Sequence, residues 1–400
     1  MRNISNTFEK LASVFLLLAC FFTPFSTSLM GATAILACLC WLISGKFTNV
    51  PSLLATDRSA MIALLLTVLL VVGVFYSAAP LGESLDVLKK YRELIYLIMG
   101  MSLLAGKKDT SQLAENCFIA GCILLLLLSI LMFFGVLPNA KYGHSTVYHI
   151  THSFFMAILA FWALQRSFQL GKYRKLWPLI FIAASVNLFY MVPGRTGMLV
   201  YVTLIILTIF QRIRLKYAIP AILLAVSMLI VTYNTSHNFS TRVQEAIHEI
   251  HDYNPEVSRT SLGMRFDWWR NSVELMLAKP LLGHGTGSFG IVQKKLVAGT
   301  KTKVSDNPHN EFLMLGVQVG FAGPILFLAL LSTLFYNGIK TKKPEGFLLQ
   351  GVTVAMATGC LMNSFLFDSH QGHFFALMAA VLAAPYLSTI VSGKKESMNN

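Results

Sequence analysis

The chain has 400 residues, of which 55% are hydrophobic and only 12% charged, with a mean hydropathy of +0.63 and a formal net charge of +14. A soluble fold cannot hide so many Leu-rich runs, so a cytosolic enzyme, a nucleic-acid binder and a disulfide-stapled scaffold are excluded. What remains is a polytopic membrane protein, because a bilayer asks for about 20 apolar residues per helical span. The cysteines (Cys20, Cys38, Cys40, Cys117, Cys122 and Cys360) all lie in apolar segments, which leaves the redox compartment unread.

Apolar runs at 8–23, 27–44, 60–77, 92–105, 115–136, 148–165, 177–192, 196–211, 217–233, 309–338, 347–366 and 372–392 read as membrane helices. The expected fold is therefore all-α, with about twelve spans and a large, partly helical outward loop between spans nine and ten. The expected divisions are 1–233 (spans one to nine), 234–308 (the loop with its amphipathic helices), 309–393 (spans ten to twelve) and 394–400 (a cytoplasmic tail). The termini and the loops at 45–59, 106–114, 166–176, 212–216 and 339–346 hold 18 of the 32 Lys and Arg, which makes that side cytoplasmic. All ten histidines then fall on the outward side, where any chemistry is expected.

Going along the chain, Lys89, Lys90 and Arg92 are cations in a short outward loop, where they oppose insertion unless something compensates. A bound anion would do so, and so would pairing with the neighbouring Glu83, Asp86 and Glu93. His149/His152, His248/His251 and His370/His373 are each spaced i, i+3, as a pair of metal ligands on one helical face would be. With ten histidines crowded outward such pairs arise by chance, and no HExxH or DxD accompanies them, so a metal site is not expected. Arg195 sits in Pro193-Gly194-Arg195-Thr196-Gly197, with no acidic residue beside it in sequence. This reads as a tight turn whose glycines let the backbone approach a ligand, with Arg195 capping the mouth of the bundle.

Inside the long loop, 241–251 places Val243, Ile247 and Ile250 on one face and charge on the other. It reads as an amphipathic helix on the membrane surface, with a lid or simple packing as the plainer alternative. A second helix, roughly 264–277, carries Arg265, Trp268, Trp269 and Arg270. Arg265 and Trp269 are one turn apart, so the guanidinium can lie over the indole while its fork meets a phosphate. The tryptophans themselves read as interfacial anchors. Residues 285–290 formally spell GxGxxG, but no strand precedes them and no GK[ST] follows, so a flexible turn returning the loop to the bundle is expected. At the end of the loop Asn307 is the expected N-cap and Pro308 the first helical residue. That arrangement puts His309 and Asn310 in a first turn with free amides, an anion site beside an imidazole kept neutral by the helix dipole and suited to general base work. The plainer alternative for His309 is a structural hydrogen-bond donor.

Arg195 after span seven, R-F-D-W-W at 265–269, L-L-G-H-G-T-G-S-F at 281–289 and H-N-E-F-L at 309–313 together resemble the O-antigen ligase family (WaaL), whose superfamily includes O-antigen polymerases (Wzy) and protein O-oligosaccharyltransferases. The resemblance implies an inverting glycosyltransferase of the bacterial inner membrane. It would move a glycan from an undecaprenyl pyrophosphate donor to a hydroxyl of the lipid A core, on the periplasmic face, with membrane lipids around it and no metal, cofactor, nucleotide or nucleic acid. Carried over by motif, Arg195 and Arg265 hold the pyrophosphate, with Lys89, Arg92 and Asn310 as further substrate contacts, and His309 is the catalytic histidine. A transporter is the alternative from another class; it calls for ionisable groups at mid-span, and the spans read as nearly charge-free.

Overall fold

The computed structural model of the chain describes residues 2–171, 174–257 and 259–399, and side chains between residues 3 and 385 of these. Each apolar run expected to be a span is helical, because in lipid a backbone can satisfy its N–H and C=O groups only within the helix itself. In chain order the helices are α1 (Arg2–Phe22), α2 (Thr27–Ile43), α3 (Val50–Thr56), α4 (Arg58–Phe75), α5 (Leu81–Lys90), α6 (Glu93–Leu104) and α7 (Lys108–Phe133). There follow α8 (His149–Ser167), α9 (Leu176–Val186), α10 (Arg195–Arg212), α11 (Ala218–Thr235), α12 (His237–His251), α13 (Ser261–Ala278) and α14 (Phe289–Leu296). The chain closes with α15 (Glu311–Val319), α16 (Ala322–Lys340), α17 (Glu345–Met362) and α18 (Ser369–Asn399). Residues from 386 onward, including the expected tail at 394–400, lie outside the described side chains.

Seven helices among the described residues are long and apolar enough to cross a bilayer by themselves: α1, α4, α7, α10, α11, α16 and α17. An eighth candidate is α2 with α3, an apolar pair bent by 81°. The protein is a multi-pass membrane protein on these grounds. α6 and α8 owe their place to burial rather than length: every residue of α6 except Ile95 is buried, and α6 packs on α18 while α8 packs on α9 and α10. α11 is the opposite case. Only Ala218 is buried, and it turns Ile219, Leu223, Leu224, Met228 and Val231 outward, the surface a lipid-facing helix presents.

Two expectations need correcting. The run at 309–338 is not one helix, because the chain breaks between α15 and α16 at Gly320, which has φ 68°. A Cβ there would sit 2.5 Å from the Leu281 carbonyl oxygen, so only glycine allows the loop after α13 to cross the break. The apolar pattern ran unbroken through a position whose backbone, not polarity, ends the helix. Nor is the bundle free of charge. The Glu93 and His373 side chains face each other at 3.2 Å, both buried, and buried Glu115 accepts from Trp162 and pairs with Arg166.

Candidate active site

The N-terminal ends of α10 and α13 and the C-terminal end of α17 meet the loop before α15. Arg265 projects from the first turns of α13, a helix capped by the Thr260 side chain, which accepts from Gly263 N–H. Its guanidinium donates to Asn363 Oδ1 at 3.3 Å, and Asn363 Nδ2 donates to Thr196 Oγ1 at 2.8 Å. Asn363, the C-cap of α17, thus ties α13 to the first turn of α10, beside Arg195. No sequence signal marked it.

His309 completes the cluster from the loop side, in a conformation that differs from the expectation. The N-cap is Asn310, whose side chain accepts from Leu313 N–H, and α15 starts at Glu311. Neither Pro308 nor His309 is helical; His309 has φ 54°, a left-handed conformation that a non-glycine residue adopts only when its surroundings impose it. The imposition is visible. His309 N–H donates to Asn307 Oδ1 at 2.7 Å, and the same oxygen accepts from Ser364 Oγ at 2.7 Å. Asn310 Nδ2 donates to the Leu361 carbonyl, and the imidazole stacks on Trp268 with ring centroids 5.4 Å apart. The amide of His309 is therefore not free for an anion, and Asn310 spends its side chain on the cap and on α17. The imidazole is held near a pKa of about 4, first by burial and then by the positive charge of Arg265; a hydrogen bond with Asn363 works the other way. The expected outcome, a neutral ring at pH 7, is present, but burial and a guanidinium cause it rather than a helix dipole.

The tryptophans are likewise reassigned. Trp268 is buried, not anchored at an interface, and its indole N–H donates to the Lys303 carbonyl at 2.8 Å. Trp269 donates to the Pro308 carbonyl at 2.9 Å and packs edge-on against Phe266, so its ring clamps the histidine loop instead of carrying Arg265.

Behind His309, the next helix is pinned by Glu311. One carboxylate oxygen accepts from Tyr91 Oη at 3.1 Å, and the other from Leu366 and Phe367 N–H at 2.9 and 3.1 Å. Gln318 Nε2 donates to the same Tyr91 oxygen. This fixes α15 to the turn between α17 and α18, the same turn that offers Asn363 and Ser364 to the site.

Arg195 is not unpartnered. Its two Nη atoms donate to both oxygens of Glu249, at 3.0 and 2.7 Å, and one of them also to Glu245 Oε2 at 3.0 Å. These carboxylates come from α12, fifty residues on, where adjacency in sequence could not show them. The glycines of the turn admit a neighbouring helix, not a ligand: a Cβ on Gly194 or Gly197 would lie 2.2 or 2.4 Å from atoms of Ser153 in α8. Arg195 still belongs to the neighbourhood, since its charge acts on Arg265, and both arginines act on the half-buried His149.

Of the remaining cations, Lys89 pairs with Asp86 at 2.8 Å with both side chains largely exposed, and Arg92 donates to the Lys89 carbonyl. Among the described contacts neither reaches Arg195, Arg265 or His309. Glu93 does not pair with them; it turns inward to His373. Lys90, the third cation of that loop, lies 3.9 Å from the Phe367 ring centroid, against the turn that Glu311 holds. The HxxH pairs are split among separate partners: His152 between Ser145 and Asn187, His370 on the Thr23 carbonyl, His248 and His251 along exposed α12.

The glycine-rich stretch returns the loop to the bundle, as expected, but as a fixed stitch rather than a flexible turn. Gly285 N–H donates to the Gln318 carbonyl, Thr286 N–H to Gly73 and Gly287 N–H to the Gln318 side chain. A Cβ on Gly285 would lie 2.1 Å from Ser77 Cα.

Arg195, Arg265, His309, the two tryptophans and the glycine-rich stretch fall inside one matched stretch of chain, while Asn363 and Ser364 lie beyond it. Residues 179–328 match the O-antigen ligase family, Wzy_C. That stretch contains Arg195, Arg265 and His309, whereas Lys89 and Arg92 lie outside it. Over 150 residues, 36% of this chain, the sequence is also 29% identical to an uncharacterised protein of Haemophilus influenzae (strain ATCC 51907 / DSM 11121 / KW20 / Rd). The match spans 38% of that relative's length. The similarity to the O-antigen ligase family thus covers the segment that carries Arg195, Arg265 and His309, within a multi-pass helical chain.

Proposed function

We propose that the protein is an O-antigen ligase: an inverting, metal-independent glycosyltransferase that moves a glycan from undecaprenyl pyrophosphate to a hydroxyl of the lipid A core. It would work at the periplasmic face of the bacterial inner membrane, in a twelve-span topology with both termini cytoplasmic. The observation that carries this reading is the convergence of a half-buried guanidinium, Arg265, with a neutral imidazole, His309, inside the matched segment.

The chemistry follows from charge. A pyrophosphate brings about two to three negative charges, and one more develops on the leaving phosphate as the glycosidic bond breaks. Arg265, half-buried and bonded among the described residues to a neutral amide, is the strongest electrostatic partner in the cluster, because a guanidinium fork stabilises a phosphate bidentately. Arg195 supplies the second fork. His309 takes the proton of the acceptor hydroxyl as that oxygen attacks the anomeric carbon from the face opposite the diphosphate, and a single displacement inverts configuration. Binding the anionic donor also offsets the charge of Arg265 and so raises the basicity of His309 when a base is needed. Asn310, Lys89 and Arg92 keep at most peripheral roles in this reading.

Disruption of the gene in its host tests the assignment: a ligase defect leaves lipid A core without glycan, with glycan stranded on the carrier. Core bearing a single repeat unit would instead mark a polymerase of the same superfamily, and unaltered lipopolysaccharide would reject both.

A further inference from the structure

Helix α12 is tied down at its two ends and held between them by charge; past its last turn Tyr253 Oη donates to buried Asp267 of α13 at 2.7 Å and its ring packs on Phe266. At the other end Ser236 caps the helix and donates to the Phe189 carbonyl at 2.7 Å, Asn238 donates to the Tyr190 carbonyl at 2.6 Å, and Phe239 packs on Phe189 with centroids 5.0 Å apart. Beyond that anchor no side chain of α12 is buried, and Ile247 and Ile250 are 59% and 57% exposed. Between the ends, Gln244 donates to Tyr233 Oη at 3.2 Å, and the remaining side-chain hydrogen bonds described there are made by carboxylates. Glu249 grips both Nη atoms of Arg195 and accepts from Leu262 N–H at 2.8 Å, while Glu245 bridges Arg195 and Arg242.

Two carboxylates on a guanidinium fork present the charge and geometry of a diphosphate. Among the described residues no carboxylate pairs with Arg265, which bonds to Asn363. The pair of arginines is thus asymmetric, one free for an anion and the other already occupied. An incoming diphosphate is attracted by Arg265 but repelled by Glu245 and Glu249, so it must displace them to reach Arg195.

Resting on the ligase reading above, we infer that α12 is an anionic latch: Glu245 and Glu249 stand in for the donor's diphosphate on Arg195, and donor binding releases the stretch of helix between the Ser236–Phe239 and Tyr253 anchors. Arg195 then joins Arg265 on the donor, and the site is assembled only when a diphosphate-bearing lipid is present. Any ligand pays a conformational tax for opening the latch, and weakening the latch removes it.

The test uses purified full-length protein in lipid nanodiscs and farnesyl diphosphate as the probe, with binding followed by calorimetry. Glu245→Gln/Glu249→Gln keeps side-chain shape while removing the charge and turning one accepting oxygen of each into a donor, and is expected to tighten binding about tenfold. Adding Arg195→Gln should cancel that gain, and hydrogen exchange across 241–251 should rise on binding to the wild type. If the double variant does not elute and melt as a folded protein, Glu245→Gln alone, at the more exposed carboxylate, should tighten binding about threefold. Unchanged or weaker binding by a folded variant, or exchange that falls on binding, overturns the latch while leaving the ligase reading in place. Binding that is indifferent to Arg265→Gln overturns the ligase reading itself.

Discussion

Removal of the Arg265 charge should move the acidic limb of catalysis in a direction the geometry fixes. His309 lies near a pKa of about 4 against an ordinary value of 6.5, with burial the larger cause and Arg265 the second. Only the neutral imidazole accepts a proton, so kcat/KM should hold from pH 7 down to about 5 and fall as pH drops through about 4. In Arg265→Gln the burial remains and the charge is gone. The limb should therefore rise, by about one pH unit at most, because the smaller cause cannot account for most of the depression. In the same variant, loss of the phosphate clamp should lower kcat/KM at pH 7 by about 10²–10³-fold, the effect of removing one donor to a developing oxyanion. Reconstituted transfer of a diphosphate-linked oligosaccharide, measured from pH 4 to 8, reads both quantities, and NMR of ring-labelled histidine reads the ionisation directly. A limb that stays in place, or moves lower, would refute the pairing of Arg265 with His309.

Other perturbations separate chemistry from architecture. His309→Ala should reduce transfer by about 10²–10⁴-fold while the protein still inserts and melts normally; near-wild-type turnover would remove the base. Glu311→Leu strands the donors Tyr91 Oη, Leu366 N–H and Phe367 N–H, each costing about 1–3 kcal/mol, so its melting temperature should fall sharply, with Glu311→Gln recovering part of the loss. Gly285→Ala combines φ 92° with a 2.1 Å collision and should prevent stable folding, detected as loss of monodisperse protein on size exclusion. A strong chelator should leave transfer unchanged, and loss of activity restored by zinc would assign a role to the histidine pairs.

How much of this was legible beforehand depended on the range of each signal. The helical runs and the helix around Arg265 follow from local hydropathy and periodicity, and the expected span borders fall close to α8, α10 and α17. Conformation at a single residue was harder. Asn307-Pro308 is a sound helix start by local rules, yet Ser364 and Trp269 take the atoms and carbonyl that such a start would use, and the cap passes to Asn310. Partnerships across the chain were not legible at all. Nothing near Arg195 announces Glu245 and Glu249, and the bridging role of Asn363 emerges only where α17 ends against α10. The isolated cation that looked available in sequence is thus the occupied one, and the one flanked by aromatic residues is the one left open.

The most direct measurement of the central claim is a structure of the protein bound to a polyprenyl diphosphate. It should show the two phosphates gripped by Arg265 and Arg195, with the His309 ring facing the anomeric side of the carrier at hydrogen-bonding reach of an acceptor oxygen. A diphosphate seated elsewhere, with Arg265 still turned to Asn363 and His309 out of reach of the lipid head, would contradict it.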